Sequence, residues 1–316
     1  MSKAIEQNKY GFTVGHVGLG THGDGVGSVR QAVHDGDTIN VRPLGNLGAR
    51  FLGVDAPEIS FNLPGSRSFT SLGDPRWEVF LSNPLSTSHG KFNATLASGL
   101  RQHLKARVGP GCASNHYTHA LAAQTALEAE IQADLEAMGA DKESFEFYLA
   151  FSHEVLDRYG RMLCFINRNQ EEENIPGPRP LYYNERLLMR AAVMPYFIWP
   201  NVSPFRKFAN ILEAVIPPFM ANQIQDPRLG EARQGFAEAR ARQEGLYAAG
   251  NPLRLDPFEL RFLAGRRVPN RWLIDLSQSD NHLVHPQEYY SIPNPEDRLY
   301  IPEEYLLLFK KKGWKK

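Results

Sequence analysis

Apolar and polar residues alternate along four short stretches of the chain. Alternation over Asp35 to Arg42 and over Ala49 to Val54, with a turn region rich in Pro, Gly and Asn between them, predicts two strands of a curved antiparallel hairpin. The patterns of Phe145 to Leu156 and Met162 to Ile166 predict two more strands, joined by a turn that begins with Asp and contains Gly. Both the first part of the chain and its middle are therefore expected to contribute to sheets.

Helical spacing of apolar residues replaces this alternation elsewhere. Leu127, Ile131, Leu135 and Met138 recur at intervals of three or four and are followed by Gly139, which predicts an amphipathic core helix that ends there. Further helices are predicted from a cap at Asn184 to Pro195, over 203–215, over 229–246, and from a capping box at Asp256-Pro257-Phe258-Glu259 to Gly265.

These changes of pattern divide the chain into segments. Residues 59–115 lose periodicity and gain Ser, Pro, Gly and Asn, so we interpret them as a long insertion with one short helix near 93–105. The predicted organisation is a Gly-rich N-terminal arm at 1–27, one domain at 28–250 with insertions at about 59–115 and 201–228, and a C-terminal extension at 251–316.

Composition indicates a globular protein without a dominant charge. Hydrophobic residues make up 42% and charged residues 22% of the 316 residues, which is enough to bury a core. Lys plus Arg number 35 and Asp plus Glu number 35, so no field of the whole molecule attracts nucleic acid or a membrane. A site for an anion must therefore be local.

The number of cysteines and the hydropathy of the chain indicate the cellular compartment. Cys112 and Cys164 are too few for a disulfide framework and form no CxxC pair, which fits a reducing compartment. The first residues lack the apolar region of a signal peptide, and no apolar run approaches the ~18 to 20 residues that span a bilayer. We expect a cytoplasmic protein with no membrane partner.

Acidic residues cluster at the ends of the first two predicted strands. Asp35 and Asp37 are two residues apart on one strand, so their side chains point to the same face. Asp55 ends the next strand, and the carbonyl of Ala56 and the carboxylate of Glu58 follow it. Oxygen ligands without His or Cys favour a hard cation, Ca²⁺ or Mg²⁺. The alternative interpretation is an ordinary polar turn followed by a helix entry, because Asp, Gly and Pro dominate turns.

Two arginines favour the interpretation as a site. Arg50 lies on the strand that leads to Asp55, and Arg161 follows the predicted turn at 157–160. Two guanidinium groups facing a cation held by carboxylates imply a phosphate between them. Strand alternation alone places Arg50 and Asp55 on opposite faces, so this interpretation requires a bulge or strong curvature between them.

The sequence resembles the staphylococcal nuclease (thermonuclease) family in four short blocks that occur in the family's order. The blocks are Val33-His34-Asp35-Gly36-Asp37-Thr38, Arg50-Phe51-Leu52-Gly53-Val54-Asp55-Ala56-Pro57-Glu58, Asp157-Arg158-Tyr159-Gly160-Arg161 and Asn184-Glu185. The resemblance covers 28–60, 120–200 and 229–250. It implies an α+β fold in which helices pack on a five-stranded OB-type barrel, and Ca²⁺-dependent hydrolysis of phosphodiester bonds in DNA and RNA.

Carried over position by position, the resemblance implies a calcium site. Asp37 and Asp55 would bind Ca²⁺ directly, the backbone carbonyl of Ala56 would be a third ligand, and Asp35 would support the ion through water. Ala56 departs from the threonine that is common in the family at this position. Because the role is a backbone one, the departure does not change the expected ligand set.

The resemblance also implies the catalytic groups. Glu58 matches the general base, and Arg50 and Arg161 match the arginines that hold the scissile phosphate and stabilise its charge. The bend of the family's strand would resolve the alternation problem at Arg50. The expected substrate contacts are Arg158, Tyr159 and Phe197, where Phe197 replaces a usual tyrosine.

These observations favour a Ca²⁺-dependent nuclease that acts on DNA, RNA or both. The rival interpretations are a non-catalytic OB-fold module that binds nucleic acid or protein, and a phosphodiesterase for small nucleotides. The complete set of Asp37, Arg50, Asp55, Glu58 and Arg161 favours catalysis. The C-terminal extension is a candidate surface for a protein partner or for self-association.

The insertion at 59–115 leaves the chain directly after Glu58, and it is net basic. We therefore expect it to border the substrate groove; the alternative is a surface excursion packed on the C-terminal extension. His116 and His119, three residues apart, are interpreted as surface imidazoles at a helix start, because no third metal ligand is evident.

Overall fold

The structure is a computed structural model that describes residues 3–86, 90–169, 180–205, 208, 210–223 and 226–316. The strands are β1 Ile5–Gln7, β2 Thr13–Gly15, β3 Val17–Leu19, β4 Thr21–His22, β5 Gly25–Val26, β6 Val33–Asp35, β7 Thr38–Ile39, β8 Val41–Pro43, β9 Ala49–Phe51, β10 Gly53–Asp55, β11 Ser60–Asn62, β12 Phe69–Ser71, β13 Phe147–Ala150, β14 Met162–Arg168, β15 Met194–Ile198, β16 Trp272–Asp275 and β17 Arg298–Ile301. The helices are α1 Val29–Ala32, α2 Pro75–Ser82, α3 Gly90–Thr95, α4 Ser98–Arg107, α5 Cys112–Met138, α6 Tyr183–Leu188, α7 Pro227–Ala241, α8 Pro257–Gly265 and α9 Leu306–Lys311.

The predicted α+β class is confirmed, and the five-stranded OB-type barrel is not. Within the described part of the chain the sheets are open and small: one has four strands in the order β10-β15-β17-β16, one has three in the order β13-β14-β9, and the others have two. Strands β9 and β14 are parallel, as are β15 and β17. Two strands of the predicted C-terminal extension, β16 and β17, thus complete the largest sheet.

The predicted hairpin between Asp35–Arg42 and Ala49–Val54 is wrong. β8 pairs with β3, β9 pairs with β14, and β10 pairs with β15. The chain turns between β9 and β10 because Gly53 has a φ of +74°, a backbone conformation that favours glycine. The buried Asn184 amide holds this corner by donating to the Leu52 carbonyl at 2.8 Å and accepting from the Ile166 N–H at 3.1 Å. Asn184 lies inside α6, so its predicted role as a cap is also wrong.

Other helix predictions differ in extent. The helix predicted over Leu127–Met138 is confirmed and ends before Gly139, but α5 already begins at Cys112. The capping box at Asp256 and Glu259 is confirmed in α8. The insertion at 59–115 contains α2, α3 and α4 rather than one helix. Where residues 203–215 are described, they form turns and bends instead of the predicted helix.

Two large clusters of buried side chains form the body of the molecule, which we define as residues 48–316. One cluster joins α5, α6 and α7 to the four-stranded sheet. The other contains Trp77, Leu100 and Leu104 from the insertion and Leu260 and Tyr289 from the C-terminal extension. Each fully buried side chain of this size contributes about 1.5–3 kcal/mol. The insertion therefore packs on the extension, as in the alternative interpretation, but the two share one buried core, so the insertion is not a surface excursion.

A buried ionic network fastens α4 to the start of α8. Arg107 donates to Asp256 at 2.7 Å and to Glu259 at 2.9 Å, and Tyr289 donates its hydroxyl hydrogen to Glu259 at 2.6 Å. Arg298 donates to the second oxygen of Asp256 at 3.2 Å. Because these carboxylates also form the capping box of α8, the network fixes the beginning of this helix.

Residues 3–47 form a series of small hairpins that we call the N-terminal ribbon. Its strands pair with each other, β1 with β2, β3 with β8, β4 with β5 and β6 with β7. Large apolar side chains of the ribbon are exposed, with Tyr10 at 72% and Phe12 at 68%. The ribbon contacts the body where Ile5 packs against Gly160 and the Thr13 hydroxyl donates to the Arg158 carbonyl at 2.8 Å.

The helices of the described part of the chain do not meet the requirements of a membrane span. Even the long helix α5 lacks the apolar composition needed, and no other helix in the described ranges combines the necessary length and hydropathy.

Candidate ionic site at the end of strand β10

Asp55 is the last residue of β10, and its carboxylate is buried. Only 1% of its side chain is exposed, because β15 pairs with β10 on one side and Arg261 of α8 covers the carboxylate. A carboxylate in this position requires partners, since an unpaired buried charge is costly. The structure supplies them from two directions, the strand that precedes it and a helix far along the chain.

The main partner of Asp55 is Arg261 on α8. Its Nη1 and Nη2 atoms donate to the two oxygens of Asp55 at 2.9 and 2.7 Å, which is the bidentate geometry of an arginine and a carboxylate. The same Nη1 atom donates to Glu58 Oε1 at 2.7 Å. One guanidinium group therefore bridges both carboxylates that the sequence predicts at this strand end.

Arg50 completes the cluster from β9. Its Nη2 atom lies 3.4 Å from Asp55 Oδ1, although five residues separate the two along the chain. The turn at Leu52 and Gly53 brings them to the same side, as the interpretation of the sequence required. Two carboxylates, Asp55 and Glu58, thus face two guanidinium groups, and the cluster is neutral as a whole.

The cluster shifts the ionisation of its members. Burial raises the pKa of Glu58, and the Asp55 carboxylate adds to this shift, while Arg261 opposes it. Burial acts to lower the pKa of Arg261, but the carboxylates of Asp55 and Glu58 have the larger effect. The pKa of Arg261 is therefore raised above its usual value. Arg261 is therefore a permanent cation of the cluster.

His116 holds the backbone of Glu58. Its Nε2 atom accepts the Glu58 N–H at 2.9 Å, and the ring is fully buried at the start of α5. Burial lowers the pKa of His116 to about 3, and the nearby Arg261 and His119 add to the shift. His119 is buried too and bonds the Asn251 carbonyl through Nε2 at 2.8 Å. The interpretation of these histidines as surface imidazoles is therefore wrong.

Asp35 and Asp37 lie apart from this cluster, on the exposed hairpin of β6 and β7 in the N-terminal ribbon. Asp35 accepts the Asp37 N–H at 3.3 Å, and Asp37 accepts the Thr38 hydroxyl at 3.1 Å. Among the described residues, no group of three or more His, Cys, Asp or Glu side chains could hold a metal ion. The predicted calcium site of Asp37, Asp55, Ala56 and Asp35 is thus not assembled, because the hairpin pairs with itself and Arg261 takes the Asp55 oxygens. The described arrangement does not fit Ca²⁺.

Arg161 lies at the start of β14, next to the strand that carries Arg50. Met162 pairs with Ala49 and Leu163 with Arg50, so Arg161 stands beside Gly48. Its guanidinium is engaged by Asp157, with both Nε and Nη2 at 2.7 Å from Oδ2. These bonds orient the arginine at the body's surface and leave its side chain 36% exposed.

Tyr159 and Arg158 form an exposed pair beside Arg161. The Arg158 guanidinium lies over the Tyr159 ring, 4.7 Å from its centroid, and the Arg161 guanidinium is 5.4 Å from it. Tyr159 is 43% exposed and Arg161 is 36% exposed, so parts of the ring and of the guanidinium group remain accessible to a ligand. Phe197, by contrast, is buried in the first core cluster against Gly53, so its predicted role as a substrate contact is wrong.

Comparison with known proteins gives no match to this chain: no family model matches it, and neither a curated protein nor a solved structure is similar to it.

Sequence reasoning missed the roles of Arg261 and His116. Arg261 lies 206 residues from Asp55 along the chain, in the mainly apolar helix α8, so no local pattern connects the two. His116 was noticed, but only as half of a spacing for metal ligands. His116 lies among other buried positions of helix α5. Its place within this helix was the available signal that its side chain is buried.

Proposed function

We propose that this protein binds the phosphodiester backbone of nucleic acid on the face that carries Arg50, Arg158, Tyr159 and Arg161, and that it hydrolyses that backbone. One observation carries the proposal. Arg50, Asp55 and Glu58 meet at the end of β10, and the strand that begins after Arg161 is the direct neighbour of β9.

The surface chemistry supports binding. Arg161 is oriented by Asp157 and remains partly exposed, and guanidinium groups are suited to bidentate contacts with phosphate oxygens. Tyr159 is 43% exposed and offers a ring face on which a base can stack. Stacking of this kind contributes about 1–3 kcal/mol per base and is tolerant of sequence.

Hydrolysis requires Glu58 to act as a general base. A general base must accept a proton from water, whereas Glu58 Oε1 accepts a hydrogen bond from Arg261. The positive charge of Arg261 lowers the proton affinity of the whole Glu58 carboxylate, so the nuclease requires Glu58 to turn or separate from Arg261 when substrate is bound. Asp55 stays paired in this scheme, and the arginines supply the positive charge over the phosphate.

A second function is favoured by the same ion pair. If Arg261 never releases Glu58, the protein is a non-catalytic module that binds nucleic acid. The three short hydrogen bonds from Arg261 to Asp55 and Glu58 favour this alternative.

One assay separates the two functions. Labelled single-stranded and duplex DNA and RNA are incubated with the full chain in Ca²⁺, in Mg²⁺ and in chelator, and binding is followed by fluorescence anisotropy. The nuclease predicts cleavage that Glu58→Gln lowers by ~10² while binding persists. Arg161→Ala should weaken binding at least tenfold, and the exposed Arg267→Ala should not. Binding without cleavage supports the second function, and absence of both contradicts the proposal.

A further inference from the structure

We propose that Arg261 is the resident cation of this site: its guanidinium takes the place that a divalent ion would occupy between Asp55 and Glu58, and it closes the pair to Ca²⁺. The inference concerns the same residues as the proposed function but does not depend on hydrolysis. It rests on where the hydrogen bonds go, on the charge balance and on the way α8 is anchored.

Three of the four carboxylate oxygens that a metal would need are already bound. Arg261 reaches both oxygens of Asp55, at 2.9 and 2.7 Å, and one oxygen of Glu58 at 2.7 Å. Arg50 lies 3.4 Å from Asp55 Oδ1 on another side. A Ca²⁺ ion requires six to eight oxygen ligands, and here the two nearest carboxylates are already engaged by N–H donors.

The charge balance of the cluster also disfavours a divalent ion. The two negative charges of Asp55 and Glu58 are balanced by Arg261 and Arg50, so a divalent ion added to the cluster would find no net negative charge. Guanidinium is the side-chain cation best suited to bridge carboxylates in a buried place, because it is planar and weakly hydrated. An ion that displaced Arg261 would leave its guanidinium group charged and unpaired. This would be costly, because only 23% of the Arg261 side chain is exposed.

The position of Arg261 is also fixed by the start of its helix, α8, which hydrogen bonds anchor. Arg261 lies two residues after Glu259 of the capping box, which Arg107 and Tyr289 hold by hydrogen bonds at 2.9 and 2.6 Å. The next residues of α8, Phe262 and Leu263, are buried in the second core cluster. The helix therefore presents the arginine to Asp55 in a preformed position.

Removal of the guanidinium should convert the cluster into a cation site. Without Arg261, the carboxylates of Asp55 and Glu58 face one gap with only Arg50 beside them, and their mutual repulsion favours a bound cation. Two carboxylates and water make a weak site, with an expected Kd for Ca²⁺ of about 10⁻⁴–10⁻³ M. The wild-type chain should bind no Ca²⁺ in this range.

The test measures Ca²⁺ binding without any substrate. Isothermal titration and thermal unfolding of the full chain are recorded with Ca²⁺ and with chelator for the wild type, Arg261→Ala and the exposed control Arg267→Ala. We expect no effect of Ca²⁺ on the wild type or the control. Arg261→Ala should lower Tm by about 5–10 °C in chelator, because the buried Asp55 and the partly buried Glu58 lose their shared partner, and millimolar Ca²⁺ should recover part of the loss.

Two results would overturn the inference. One is stoichiometric Ca²⁺ binding by the wild type that Asp55→Asn abolishes. The other is a folded Arg261→Ala protein that binds no more Ca²⁺ than the wild type. Arg261→Met, which keeps an unbranched apolar stem but removes the guanidinium group, serves where the alanine variant does not fold. Because the readout is Ca²⁺ binding, a protein that fails to cleave nucleic acid leaves this inference standing, and a cleaving protein does not rescue it.

Discussion

The body and the N-terminal ribbon each carry two of the four residues of the predicted calcium site, and they are packed in very different ways. In the body, Asp55 is enclosed by a four-stranded sheet, a helix and two arginines. In the ribbon, Asp35 and Asp37 stand on a two-stranded hairpin whose contacts are local. The comparison teaches that a motif can be complete in sequence while only its packed half acquires a defined chemical environment.

The difference has a physical origin. A hairpin of two short strands has little stability of its own and needs a hydrophobic face to pack on. The ribbon exposes apolar side chains such as Val33 and Ile39 beside the two aspartates, whereas the body buries Val54 next to Asp55. Burial in the body removes water from the ion pairs and strengthens them, and the ribbon's carboxylates remain hydrated.

The largest expected effect on the free energy of unfolding comes from the second cluster of buried side chains in the body. Trp77→Ala removes a side chain that is fully buried and donates from Nε1 to the Thr70 carbonyl at 3.1 Å. Its loss should lower the free energy of unfolding by about 3–5 kcal/mol, as large cavities in cores do. Val79→Ala on the same helix, where the side chain is 78% exposed, should change it by less than about 0.5 kcal/mol. Chemical denaturation of both variants measures the contrast. Equal losses would contradict a shared core of insertion and extension.

The next effect depends on pH and comes from His116. Its pKa is about 3 in the folded protein and near 6.5 when unfolded, so the unfolded state binds a proton between these values and the folded state does not. Stability should therefore fall as pH decreases from about 6.5 towards 3, by a few kcal/mol in total, an order of magnitude set by about 1.4 kcal/mol per pH unit.

His116→Gln is the variant that isolates this contribution. A glutamine keeps an acceptor near the Nε2 position for the Glu58 N–H but does not titrate in this range. Denaturation at about pH 7 and about pH 4.5 should show a smaller acid loss in the variant than in the wild type. The same loss in both proteins would mean that the imidazole is not buried as a neutral group.

The smallest effect concerns the contact between the two regions. Gly160 has a φ of +78°, and a Cβ there would lie 2.6 Å from a side-chain carbon of Ile5 and 2.9 Å from its carbonyl carbon. Gly160→Ala should therefore push β1 and β2 away at a cost of about 1–2 kcal/mol, and the body should stay folded.

Hydrogen exchange measured segment by segment checks this expectation. Amides of β1 and β2 should exchange faster in Gly160→Ala, while those of β15 and β17 in the four-stranded sheet should keep their rates. Faster exchange throughout the molecule would show that the ribbon and the body unfold together, and the contrast between them would be lost.

Local signals predicted a good part of this fold. The end of α5 at Gly139 and the capping box of α8 follow from residues within one turn of the helix end. The meeting of Arg50 and Asp55 was expected only on the condition of a bulge or strong curvature between them, which the family resemblance implied, and the structure provides a turn there at Gly53. These features depend on neighbours a few residues apart.

Long-range pairing could not be predicted in the same way. That β9 pairs with β14, and that α8 brings Arg261 to Asp55, depends on how separate segments pack, and no periodicity encodes it. The insertion appeared irregular because its helices are short: α2 buries only Trp77 and Leu81, and α4 only Leu100 and Leu104, so each apolar stripe is a single pair of residues four apart. The predicted substrate contact at Phe197 failed for the same reason, since β15 lies in the interior of the sheet.

The central claim is that Asp55 and Arg261 form the charged centre of the site while Asp37 stands outside it. Double-mutant cycles on the free energy of unfolding test this claim most directly, with Asp55→Ala and Arg261→Ala in one cycle and Asp37→Ala and Arg261→Ala in the other. We predict a coupling energy of about 2–3 kcal/mol for the first pair and less than about 0.5 kcal/mol for the second. A negligible coupling between Asp55 and Arg261, or a coupling of similar size between Asp37 and Arg261, would contradict the account.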